Sequence, residues 1–164
     1  MAKDEIRYQI IKAQGQTKKE LVPLNTDFGI VIPSLGINAK VVKNVNPLDP
    51  AIYQKALTQG VAHAQGTVLP GENGNTFIFS HSSENFYEAT RYNSIFYLLP
   101  KVAVGDTITL YYQTNRYDYH VTEKKIVDPS DTSYLYKKSD KPMLTLMTCY
   151  PPGTNFKRYI VVAN

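Results

Sequence analysis

Short runs rich in Val, Ile, Thr, Tyr and Phe recur along the chain, each broken by Gly, Pro, Asn or Asp. No run sustains a long helical period, so the pattern restricts the chain to a β-rich fold of short strands joined by turns. Strands are predicted over 29–32, 39–45, 76–80, 107–113, 118–127, 143–148 and 157–162. In one of them Tyr117, Tyr119 and Val121 alternate with Asp118, His120 and Thr122, the period of two of a half-buried strand. Val104-Gly105-Asp106 reads as a turn into a strand, and Asn115-Arg116 as a hairpin tip. Two short helices are expected. One covers 51–58, capped by Asp49 with Pro50 in its first turn and ended by Gly60; the other covers 91–99, ended by Pro100. Seven or eight short strands with regular turns suit a closed barrel or a sandwich.

The chain has 164 residues, 43% of them hydrophobic and 20% charged. That is one globular domain of a size that buries a full core without staples. The first 25 residues are less patterned and read as an appendage on a domain spanning 26–164. A single cysteine, Cys149, excludes an internal disulfide and a cysteine zinc cluster. Three histidines without paired spacing, and no acidic cluster near the long loops, give no expectation of a metal or other cofactor. The net charge of +4 favours anionic surroundings without choosing among them. The pairs Lys18-Lys19, Lys124-Lys125 and Lys137-Lys138 read as solvated faces, and His63 and His120 as surface or structural residues.

Three residues stand where chemistry gathers. Cys149 ends the apolar strand Leu144-Thr145-Leu146-Met147-Thr148 and is followed at once by the loop Tyr150-Pro151-Pro152-Gly153. His81 ends the run Phe77-Ile78-Phe79-Ser80. Arg158 lies nine residues after Cys149, where a Pro-Pro-Gly turn returns the chain beside it. Each alone has an ordinary reading: a small core thiol, a surface imidazole, a salt-bridged guanidinium. Together they offer a nucleophile, a proton carrier and a permanent cation for an oxyanion.

The stretch Thr145-Leu146-Met147-Thr148-Cys149 followed by Arg158 resembles the Thr-Leu-x-Thr-Cys … Arg signature of the sortases, the cysteine transpeptidases of bacterial surfaces. Ile32-Pro33-Ser34-Leu35-Gly36-Ile37, Gly60-Val61-Ala62-His63 with Gly66-Thr67, and Pro70-Gly71-Glu72-Asn73-Gly74-Asn75 are similar to further family stretches, so the resemblance runs over about 28–164. It implies an eight-stranded β-barrel with short helices. It implies Cys149 as nucleophile, His81 as general acid/base and Arg158 as holder of the oxyanion or the substrate backbone. Thr148 would line the site, Ser82 would help form the oxyanion hole, and Tyr134, Leu135 and Tyr136 of the 128–142 loop would grip a substrate leucine or cap the core.

The implied reaction cleaves an LPXTG-type sorting motif between Thr and Gly through a thioacyl-enzyme. The acyl group then passes to an amine of a cell-wall precursor or of a pilin lysine. The compact Cys-to-Arg loop resembles pilin-polymerising class C or class D and E enzymes. Asp27-Phe28 lacks the proline of a class C lid, so no lid of that type is expected. The family implies a membrane anchor at the outer face of a bacterial membrane. The polar start Met1-Ala2-Lys3 is read as a soluble domain from which that anchor has been removed. Two readings compete: an inactive sortase-like scaffold, and an oligonucleotide-binding type of barrel. The latter has no use for the Cys, His and Arg arrangement, so nucleic acid is not an expected partner.

Overall fold

A computed structural model describes residues 2–14, 21–81 and 94–164. Eight strands form the order β1-β2-β3-β4-β7-β8-β6-β5, and β5 pairs back onto β1 to close a barrel. The strands are β1 (Phe28–Ile32), β2 (Ile37–Val45), β3 (Val61–Ala64), β4 (Gly74–Phe79), β5 (Thr107–Tyr112), β6 (Asn115–Val127), β7 (Pro142–Tyr150) and β8 (Lys157–Ala163). Closure decides between the barrel and the sandwich. β2 runs parallel to β3 and β4 parallel to β7; the other pairs are antiparallel.

Alternate residues fill the interior. Ile30, Ile32, Ile78, Ile108, Leu110, Leu144, Leu146 and Val161 are fully buried in one cluster, roofed by Phe96 and Leu99. A second cluster lies outside the barrel. There Ala62, Ala64, Phe77 and Phe79 project from β3 and β4 against Ala56 and Leu57 of helix α2 (Pro50–Leu57) and against Leu135. β4 is therefore covered on both faces, which is why Thr76-Phe77-Ile78-Phe79 shows little polar alternation.

α2 starts as its sequence dictates: the Asp49 carboxylate accepts from the Ala51 and Ile52 N–H groups, with Pro50 in the first turn. Gly60 does not end it in a left-handed turn. It is glycine because a Cβ there would lie 2.2 Å from the Lys40 carbonyl oxygen of β2. β3 escaped the sequence reading because Val61-Ala62-His63-Ala64 is only four residues long and buried throughout, His63 included. The β5–β6 hairpin turns at Gln113-Thr114 rather than at Asn115-Arg116. Both residues have positive φ (48° and 68°), the signature of a type I′ turn. Their N–H groups donate to the carbonyls of Asp27 and Thr26, which holds that conformation without glycine.

Of the expected 91–99 helix, residues 91–93 lie outside the described residues. The rest is a turn over 95–98 leading into a short 3₁₀ helix, Leu99–Lys101. Pro100 sits inside that first turn, where its missing N–H costs nothing. At the N-terminus the structure places a helix, α1 (Ala2–Ala13), where no element was expected. Tyr8 packs on the core cluster, Lys101 stacks over its ring at 4.6 Å, and Lys101 also pairs with Glu5. Lys124 is exposed, as expected of a solvated face, and its Nζ donates to the Val102 carbonyl at 2.7 Å.

His63 is a structural residue. It is 2% exposed, and its Nδ1 receives the Asn44 backbone N–H at 3.2 Å. A backbone N–H can only donate, so the proton of the neutral ring sits on Nε2, which faces the Val68 carbonyl at 3.1 Å and the Thr67 hydroxyl at 3.0 Å. Burial holds this imidazole below the ordinary histidine pKa. The unfolded chain therefore takes up a proton near pH 6.5 before the folded protein does. Stability contributed by neutral His63 is complete above that pH and falls as pH drops through it, by at most about 1.4 kcal/mol per pH unit for one proton. Denaturant titrations from pH 7.5 to 5 should show this slope, and a folded His63→Gln variant should be flatter.

Candidate active site

The register brings the three chemical residues together. In the β7–β8 ladder Cys149 stands directly opposite Arg158, joined by a six-residue turn. β4 runs parallel to β7 with Phe79 opposite Met147, so two further residues set His81 level with Cys149. Side chains alternate along each strand. Phe77, Phe79 and His81 thus share the outer face of the barrel with Met147, Cys149, Arg158 and Ile160, and these residues line a groove of about 240 Å³. Helix α2 supplies Tyr53 and Leu57 to one wall; the 128–141 loop supplies Pro129, Thr132, Tyr134 and Leu135 to the other.

Local bonds fix the reacting ends. The Thr148 hydroxyl donates to the Ser80 carbonyl at 3.0 Å, and the Ser80 N–H donates to the Met147 carbonyl at 3.2 Å. These bonds tie the end of β4 to β7 one residue before both His81 and Cys149. The Tyr53 ring meets the His81 ring edge-on, with centroids 6.3 Å apart. Arg158 Nη1 donates to the carbonyls of Asn155 and Lys157 at 3.0 and 3.1 Å, which holds the guanidinium at the mouth of the turn. Cys149 and Arg158 are both half-buried, reachable from solvent yet seated in the groove.

The other expected site residues divide. Tyr134 and Leu135 line the groove, and Leu135 also belongs to the outer apolar cluster. Tyr136 is 58% exposed, packs over Gly66 and does not line the groove. Thr148 does not line it either. As the neighbour of Cys149 on a strand it points to the opposite face, where it is 1% exposed and bonded to Ser80. Ser82 lies outside the described residues. Tyr53, Leu57, Phe77, Phe79 and Met147 were not singled out in the sequence. The i, i+4 spacing of Tyr53 and Leu57 on a capped helix was the available signal for two of them. Among the described residues no group of three or more His, Cys, Asp or Glu side chains converges as a metal site.

The sequence profile of the Sortase domain matches residues 30–164. The chain belongs to the sortase family. Sortase D of Bacillus subtilis is 28% identical over 133 residues, which are 79% of this chain and 59% of that protein. Sortase A of Listeria monocytogenes is 27% identical over 133 residues, 81% of this chain and 53% of that protein. The chain thus spans less than two thirds of the length of these sortases. Among solved structures, a Clostridium perfringens Sortase D5 transpeptidase superposes with a TM-score of 0.68 at 25% identity, covering 100% of this chain and 94% of that one. Sortase C-1 of Actinomyces oris shares the fold with a TM-score of 0.70 at 23% identity, covering 96% of this chain and 82% of that one. The closed eight-stranded barrel is therefore the sortase fold.

Proposed function

We propose that this sortase is a cysteine transpeptidase acting on an LPXTG-type sorting motif, with Cys149 as nucleophile, His81 as general acid/base and Arg158 as the oxyanion's cation. The observation that carries the reading is the convergence of these three residues on one outer groove whose lining is mostly apolar, with Asp131 and Thr132 among its polar members. The Cys149 thiolate adds to the scissile carbonyl carbon, forming a C–S bond and placing the electron pair on oxygen beside the guanidinium. As the carbonyl re-forms, the C–N bond breaks and His81 gives its proton to the leaving amine. An incoming amine then attacks the thioester, His81 takes its proton, and the thiolate leaves. Phe79, Leu57, Leu135 and Met147 form a water-poor surface for the apolar residues of the motif.

The acceptor is a cell-wall precursor or a pilin lysine, and the place of action is the bacterial cell surface, in keeping with the family. No described helix is long and apolar enough to cross a membrane. A panel of LPXTG-type peptides with an amine acceptor, followed by mass spectrometry, tests the reading. Cleavage after Thr with an amine adduct is expected. Because Cys149 is the single cysteine, pretreatment with iodoacetamide should abolish both products. Turnover that survives alkylation, or a reactive Cys149 with no cleavage across the panel, would remove this assignment.

A further inference from the structure

We infer that Asn75 is a positioning residue for the substrate groove, its buried amide fixing the Tyr134-Leu135 wall relative to the strand that carries Cys149. The inference rests on the transpeptidase reading. Asn75 is 4% exposed and lies on β4, two side-chain steps before Phe79 on the same face. Its Nδ2 donates to the Tyr134 carbonyl at 2.8 Å and to the Leu135 carbonyl at 3.4 Å. Its Oδ1 accepts from the Thr145 hydroxyl at 2.8 Å, and Thr145 is fully buried. Thr145 stands on β7 two side-chain steps before Cys149, on the same outer face. One amide therefore connects the cysteine strand to the loop backbone that forms a wall of the groove.

A packing role alone does not account for these groups. An amide and a hydroxyl are costly to bury unless bonded, and an apolar pair of the same shape would fill the space beside Phe77. Other ties hold the loop near its ends: Lys157 pairs with Asp128, and the Gly74 N–H donates to the Lys141 carbonyl. Asn75 reaches the backbone at the middle, where Leu135 enters the groove.

The test measures kcat and KM on a sorting peptide that the wild-type protein cleaves. Asn75→Ala and Thr145→Val should each raise KM by about tenfold, as loss of an apolar wall does, with kcat within about twofold. Thr145→Ser keeps the hydroxyl and should behave as wild type. In a Leu135→Ala background, Asn75→Ala should add nothing, because it acts through that wall. An unchanged KM in a folded Asn75→Ala protein, or a full additional effect in the Leu135→Ala background, overturns the inference. Should Asn75→Ala fail to fold by circular dichroism, Thr145→Val with its retained shape decides. If the wild-type protein cleaves no peptide, the transpeptidase reading fails separately. The positioning role is then read from alkylation of Cys149 by N-cyclohexylmaleimide relative to iodoacetamide. That ratio should fall several-fold in the variant, and an unchanged ratio overturns the inference.

Discussion

Cys149→Ala should abolish acyl transfer, His81→Ala should lower kcat by about two to four orders of magnitude and Arg158→Ala by about two to three, while the protein stays folded. The magnitudes follow from the proposed roles. Alanine at 149 leaves no atom able to form the thioester. A positioned general acid/base contributes about 10²–10⁴-fold, and one donor to a developing oxyanion about 10²–10³-fold. The losses should not add, because the three residues act on one transition state: His81→Ala made in Cys149→Ala changes nothing further. Stability should move little. All three sit at strand ends, and the bonds of Arg158 are to carbonyls of an exposed turn. Arg158→Lys should restore only part of the rate, since an ammonium lacks the planar fork. Single-turnover assays on a sorting peptide, paired with thermal melts, read both halves. A folded Arg158→Ala protein within threefold of wild type removes that residue from the chemistry.

Phe77→Ala should cost about 3–5 kcal/mol, the range of large aromatic truncations in a core. Phe77 is 2% exposed, pairs with Phe79 at a ring distance of 6.5 Å and lies in the cluster shared with Leu57, Leu135 and Ala62. Against a total of about 5–15 kcal/mol this is a large fraction, and the melting temperature of a domain this size should drop by roughly 6–20 °C. The same truncation removes part of the groove floor, so KM for the sorting peptide should rise as well. A drop below 2 °C would mean that the outer cluster is not a true second core.

The barrel was largely legible because β1, β5, β6, β7 and β8 follow the period of two or carry dense β-branched runs. What stayed hidden depended on partners. The helical turns of α1 are held by Tyr8 on the core and by Lys101 paired with Glu5, contacts that span the chain. β3 is a strand because β2 and β4 flank it. Cys149 and Arg158 could be placed together from a short hairpin, a local feature. The closeness of His81 comes from a parallel pairing of β4 with β7, strands that lie far apart in the sequence. Thr148 was read as a groove residue through the family signature, whereas simple alternation from Cys149 puts it on the opposite face.

The groove lies on the outside of a cylinder whose interior is already full. Its floor belongs to the barrel strands, but its walls, α2 and the 128–141 loop, carry none of the ladder hydrogen bonds that close the ring. In the proposed reading, chemistry and recognition are thus separable parts. A chimaera that exchanges this loop for a relative's, with Asn75 and Thr145 retained as the anchoring point, should inherit a new peptide preference on an unchanged reactive centre.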